Sequence, residues 1–189
     1  MILNVIKEYL LKLFIVVITL LAGLTACSPT IAVYQDRQPK FVMNEFFNGN
    51  LCVWGIVRNR NNEVSRKFTA DIKATTSETS VELDENFVFD DGELQKRLWK
   101  FEKRQQQWIG TAGDVIGEAI GEVSGDTLHL VYELAVKVDG DEIIVSMDDW
   151  LHLVDKRTLL GSTDISKWGF GVGRIDITIQ KIDDNNCNR

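Results

Sequence analysis

Apolar and polar residues alternate with a period of two from Leu51 to Lys181, and no proline interrupts that stretch. Such alternation puts one side of a strand in a core and the other in water. The runs at 51–58, 64–74, 81–89, 95–101, 108–114, 117–124, 127–138, 142–154, 158–165 and 174–181 are predicted to be strands. Turn signals lie between them at Asp90-Asp91-Gly92, Gly125-Asp126 and Asp139-Gly140. A short helix or turn is expected over Met43 to Gly49, packing Phe46 and Phe47 onto the domain.

Register provides an internal check. A two-residue loop at Asp139-Gly140 pairs Val136 with Ile143, Leu134 with Val145, Tyr132 with Met147 and Leu128 with Leu151. All of these fall on one side, and Lys137 meets Glu142 on the other. A loop at Gly125-Asp126 pairs Val123 with Leu128, Gly121 with Leu130, Ala119 with Tyr132 and Gly117 with Leu134. Small residues then oppose large ones, as a narrow closed barrel requires. Gly113, Gly117 and Gly121 also recur at helical spacing, but each would cost a helix about 1 kcal/mol. The expected fold is all-β: an antiparallel up-and-down meander of about ten strands closing into a lipocalin-like barrel, with a sandwich as the alternative.

The N-terminal stretch follows another pattern. Met1 to Lys12 is a charged segment, Leu13 to Leu21 an apolar one, and Leu24-Thr25-Ala26-Cys27 reads as a lipobox. The apolar core is too short to span a bilayer as a retained helix. Residues 1–26 are thus expected to be a lipoprotein signal peptide, with acylation at Cys27 and a lipidated tether over 27–42. The barrel domain is expected over 43–182 and a polar tail over 183–189. Ser28, where inner-membrane lipoproteins carry Asp, points to the periplasmic face of the outer membrane.

Processing there would remove Lys7, Lys12 and Glu8, leaving 163 of 189 residues. Lys and Arg would fall from 21 to 19, Asp and Glu from 28 to 27, and the net charge from −7 to −8. An acidic chain without a basic cluster is a poor partner for nucleic acid. Cys52 and Cys187 remain, either paired in an oxidising compartment or as two free thiols.

Taken with the lipobox, Phe46-Phe47-Asn48-Gly49, Trp54-Gly55, the 87–92 run FVFDDG, the 114–121 run DVIGEAIG and Asp148-Asp149-Trp150 resemble an uncharacterised lipoprotein family of Gram-negative bacteria, domain of unknown function 3833. The resemblance covers about Phe41 to Lys181. It implies a periplasm-facing lipoprotein and brings no established activity or catalytic residues.

Candidate chemistry follows from register. A loop at Asp90-Asp91-Gly92 sets Leu83 against Trp99, Val81 against Phe101 and Glu85 against Arg97, so the charged pair points into the apolar side. An inward Arg97 can hold a carboxylate or phosphate with its planar fork. Equally, Glu85 and Arg97 can satisfy each other. Trp99 and Tyr132 share that side and are expected to line a ligand site. Asp149 faces inward opposite Leu130, where burial raises a carboxyl pKa and suits a general base. Its alternative place is the rim, in water. Asp114 is similar, with its facing unsettled.

No cofactor or metal is expected. His129 and His152 fall on the outer side without ligands at zinc spacing. Gly169-Phe170-Gly171-Val172-Gly173 precedes a strand and reads as a turn or bulge, and the five tryptophans read as core or rim anchors. Three functions remain in order: a module binding a lipid or other apolar ligand, a structural or interaction lipoprotein with a filled core, and an enzyme acting on a lipid through Asp149 and Arg97.

Overall fold

The structure, a computed structural model, describes Lys7, Lys12 and residues 30–138, 140–183 and 187. All of the expected signal segment but Lys7 and Lys12, together with Cys27, Asp139 and most of the polar tail, therefore lies outside the described residues. Contacts divide the chain into two units, Met1–Thr30 and Ile31–Arg189, and the second holds the fold.

Ten antiparallel strands make that unit: β1 (Gly49–Asn59), β2 (Val64–Thr76), β3 (Ser80–Phe89), β4 (Leu94–Arg104), β5 (Gln107–Thr111), β6 (Val115–Ser124), β7 (Thr127–Val138), β8 (Asp141–Asp155), β9 (Thr158–Lys167) and β10 (Phe170–Ile182). Each pairs with its sequence neighbours, and β1 pairs with β10 from Asn50↔Ile182 to Asn59↔Gly173, closing the barrel. Closure removes both sheet edges, which a sandwich would leave open. The expected all-β meander and its closed form are what the chain adopts.

The β7–β8 register is the expected one throughout, from Leu128↔Leu151 to Lys137↔Glu142. The β3–β4 register also holds, with Leu83↔Trp99, Val81↔Phe101 and Glu85↔Arg97. The β6–β7 register holds only next to its loop, at Val123↔Leu128 and Gly121↔Leu130. Beyond Ile120 a bulge intervenes. Val115, not Gly117, opposes Leu134, and Gly117 takes a φ of +74° that a side chain would resist. Ala119 pairs instead with Gly110 of β5.

Close approach elsewhere explains other glycines. A methyl on Gly55 would sit 2.2 Å from the Phe68 ring, and one on Gly161 would sit 2.3 Å from Leu151.

One end of the barrel is plugged. Helix α1 (Met43–Phe46) lies there, with Phe41, Met43, Phe46 and Phe47 all buried. Phe46 and Phe47 meet edge-on at 5.3 Å, and the Phe41 amide donates to the Gly125 carbonyl at 2.7 Å. The expected tether is therefore part of the fold from Ile31 onward. A 3-10 turn at Ile31–Tyr34 precedes the plug, and the Tyr34 ring packs on Trp150 and His152 at 5.8 and 5.1 Å. At the same end Cys187 bonds to Cys52 on the outer side of β1, Cα to Cα 5.6 Å across 135 residues. Of the two states open to these thiols, the bridge is the one present, and it ties residue 187 to the wall.

Candidate functional site

The inward residues leave a cavity of about 620 Å³ running from the α1 plug to the opposite mouth. Met43 and Phe47 form its floor, and Leu83, Leu128, Leu130, Leu134, Met147 and Ile177 are among its apolar walls. That volume suits a drug- or lipid-sized molecule. All five expected ligand-lining residues, Glu85, Arg97, Trp99, Tyr132 and Asp149, reach this cavity. Strand alternation places them there, each an even number of residues from a core position.

Their partners differ in one respect from the sequence reading. Arg97 donates through Nε to both Asp114 oxygens at 3.0 Å and through Nη2 to Oδ2 at 2.7 Å. Its fork is closed on Asp114, not on Glu85, its directly opposed neighbour in the sheet. The expected Glu85 shield is thus replaced by a carboxylate from the β5–β6 turn. Gln95 adds a longer contact to Asp114 Oδ2 at 3.5 Å. Burial works to lower the Arg97 pKa, but the Asp114 hydrogen bonds and the Glu85 field outweigh it, and the net shift is upward.

Among the described residues, Glu85 is left buried without a bonded cation. Burial raises its pKa to about 7 against the pull of Arg97. Asp149 behaves alike: burial raises it to about 7, opposed by hydrogen bonds from Thr163 and Tyr132. Its Oδ1 has no hydrogen-bond partner among the described residues. Asp149 retains some accessible surface although protein surrounds it, because that surface faces the cavity. It lies inside the barrel and not in rim water. Tyr132 is wedged edge-on against Trp99 at 5.3 Å, and burial holds its hydroxyl well above its usual pKa.

The site thus offers two carboxyl groups that exchange protons near neutrality, a neutral phenol and a neutralised guanidinium. Such a set can accept hydrogen bonds from a ligand or move a proton, whereas an anion beside Glu85 and Asp149 would find Arg97 occupied by Asp114.

At the mouth Arg66 lies over the Phe89 ring at 3.6 Å and bridges to Asp91 and Glu93 at 2.7 and 2.8 Å. On the outer side, His129 contacts Asp148 at 2.8 Å and stacks on Trp150 at 4.0 Å, and His152 contacts Thr127 at 2.8 Å. Of the tryptophans, Trp99 and Trp108 are core and Trp168 lies at the rim.

Sequence reasoning did not single out Thr163 or Arg66. Thr163 alternates inward on β9 opposite Asp149 and was legible once that pairing is known. Asp114 sits in a turn on the continuation of the β4–β5 register, in which Lys100↔Thr111 extends to Arg97 and Asp114, and the six residues between the predicted strands leave that register unfixed in the sequence.

A family model described as a protein of unknown function, DUF3833, matches residues 21–181. The chain belongs to this family. No curated protein matches the chain. DUF3833 membership fits the closed meander with every strand inside or bordering the matched span, and it assigns none of the cavity residues a role.

Proposed function

We propose that this DUF3833 protein is a lipoprotein, anchored through Cys27 at the periplasmic face of the outer membrane, that holds a lipid or other apolar molecule in its barrel. The observation that carries the reading is the cavity itself: about 620 Å³, apolar along its walls and plugged at one end by α1. Structural barrels fill such space with side chains. Burying Glu85, Arg97, Tyr132 and Asp149 around an empty core costs stability that packing alone would not require.

The polar group of the ligand meets Glu85, Tyr132 and Asp149. With Arg97 held by Asp114, a hydroxyl or amine suits this set better than a carboxylate. The Asp149 oxygen without a partner accepts from such a donor.

Native mass spectrometry of the detergent-released full chain, re-exposed to a membrane lipid extract, tests the reading. A one-to-one adduct beyond any covalent anchor is expected, and Leu130→Trp, which pushes an indole into the cavity, should lose it. A folded protein that takes up no lipid would instead support a structural or interaction lipoprotein.

A further inference from the structure

The two ends of the barrel differ in chemistry. The turns at the plugged end are polar or glycine: Ser77-Glu78-Thr79, Gln105-Gln106, Gly125-Asp126 and Lys156-Arg157. Around the mouth the hairpins expose larger apolar side chains, aromatics among them, whereas the plugged end exposes only the valines Val33, Val42 and Val154 among the described large apolar residues. Val64 stands at β1–β2, Leu94 at β3–β4, Val138 at β7–β8, and Trp168 and Phe170 at β9–β10. Exposure reaches 85% at Trp168, 75% at Phe170 and 74% at Leu94. Single exposed apolar residues are ordinary, but a group of them around one opening, with Trp168 and Phe170 adjoining, marks an interaction surface.

The β9–β10 tip carries a second, independent signal. Lys167 pairs with Phe170, and the two residues between them, Trp168 and Gly169, have φ of +53° and +81°. Positive φ at both central positions defines a turn for which Asn-Gly is the preferred sequence. A bulky aromatic in the left-handed region is a costly choice, which this chain makes at the most exposed point of the mouth.

We infer that these tips, led by Trp168 and Phe170, dock the barrel mouth onto a lipid bilayer. Three features select a bilayer over a protein partner. The apolar groups sit on separate projecting turns around an opening, so they suit a soft surface and not a matched flat one. Tryptophan beside lysine is an interfacial pairing, the indole lying at headgroup depth and the ammonium reaching water, and Lys167 Nζ lies 4.8 Å from the Trp168 ring. The opening they surround leads into an apolar cavity. Asp90, Asp91, Glu93, Asp141 and Glu142 border the mouth beside Arg60, Arg66, Lys137 and Lys167, and Arg66 already pairs with Asp91 and Glu93, so no basic excess calls for anionic lipid and the surface addressed is zwitterionic. The chain enters this unit at the plugged end, through the Tyr34 and Phe41 contacts with Gly125. The docking tips are therefore at the end remote from that entry. Docking does not depend on what the cavity holds.

The test uses the full chain reconstituted in phosphatidylcholine vesicles, with brominated acyl chains placed either in the host vesicles or in a second population added afterwards. Bromine quenches indoles only at membrane depth, so Trp168 should contribute a bromolipid-dependent loss of emission in at least one arm. Trp168→Asn supplies the residue this turn prefers, so it should fold as well as wild type or better while losing that component. Phe170→Ser, which leaves Trp168 as reporter, should reduce it. Quenching in the host arm places the tip in the protein's own membrane, and in the added arm in a facing one. Adding phosphatidylglycerol should not strengthen the signal. Equal quenching of wild type and Trp168→Asn in both arms overturns the inference, as does a signal that appears only when a membrane protein is present in the vesicles.

Discussion

Arg97 clasps Asp114 from seventeen residues away, at 2.7 Å between Nη2 and Oδ2, although Glu85 is its directly opposed neighbour in the sheet. The pair links β4 to the β5–β6 turn and leaves Glu85 to manage its own burial. Both side chains are largely shielded, at 14% and 26% exposure, so deleting either strands the other. Arg97→Met and Asp114→Asn should each destabilise by about 1–3 kcal/mol, with the double variant costing less than their sum. Denaturant unfolding of the four proteins measures this. An additive cycle would mean that the contact contributes no coupling.

Glu85 and Asp149 make stability depend on pH in the unusual direction. Both have folded pKa values of about 7, above their ordinary carboxyl values of 4.5 and 3.8. Between those limits the native state holds more protons than the unfolded chain, so raising the pH favours unfolding. The contribution is fully present below about pH 4, is lost as pH rises through about 7, and is flat beyond. The denaturation midpoint should therefore fall from pH 5 to pH 8, and Glu85→Gln with Asp149→Asn should remove most of the fall. A midpoint that rises over that interval would contradict this account of their burial.

Gly140 has a φ of +92° and open space where a Cβ would stand. Gly140→Val is thus a test of backbone strain without collision, and should cost about 1–3 kcal/mol. Gly171→Ala is its control, since Gly171 has neither positive φ nor a close neighbour, and should be nearly neutral. Equal midpoints for both variants and wild type would remove strain as the explanation.

These turns also show what the sequence made legible. Two long strands separated by Asp139-Gly140 have one register that keeps both apolar sides inward, so Leu128↔Leu151 could be read ten pairs out from Val138↔Asp141 beside the loop. The Gly125-Asp126 hairpin began as well, but Gly117 could be strand, bulge or turn, and only the partner strand decides. Its bulge removed the expected Ala119–Tyr132 and Gly117–Leu134 pairs while Gly121↔Leu130 stayed, and further small-opposite-large pairs occur at Gly55 with Phe68 and Gly161 with Leu151. Arg97 and Asp149 were legible because alternation fixes their side of the sheet. The Cys52–Cys187 bond was not, because the proximity of β1 and the segment after β10 is set only when the barrel closes. The Asp114 clasp was not either, because the six residues between the strands expected at 95–101 and 108–114 left their register unfixed.

Acylation at Cys27 rests on the lipobox alone. Inhibiting the lipoprotein signal peptidase should make the precursor accumulate, and Cys27→Ser should lose labelling by a palmitate analogue. Normal maturation of Cys27→Ser to a membrane-bound form would sink the anchor and, with it, the outer-membrane assignment.

The choice of ligand head group can be read from the sign of a pH dependence. Below about pH 6 Glu85 and Asp149 are neutral, and Arg97 with Asp114 sums to zero, so the interior carries no net charge. Above about pH 8 both carboxyls ionise and the interior becomes negative. A long-chain amine should then bind more tightly as pH rises through 7, and a fatty-acid carboxylate less tightly. A monoacylglycerol, which has no charge, should change little. Across a shielded cavity each new charge alters affinity by about 1–3 kcal/mol, roughly 5- to 150-fold. Glu85→Gln with Asp149→Asn should flatten the amine and carboxylate slopes together while leaving the monoacylglycerol unchanged. Quenching of Trp99, which packs on Tyr132 beside the site, supplies the signal, and Trp99→Phe identifies its share. The opposite outcome is equally clear. A carboxylate whose affinity climbs from pH 6 to pH 8 would show that Arg97 leaves Asp114 for the ligand, and the head group would then be an acid held by the guanidinium.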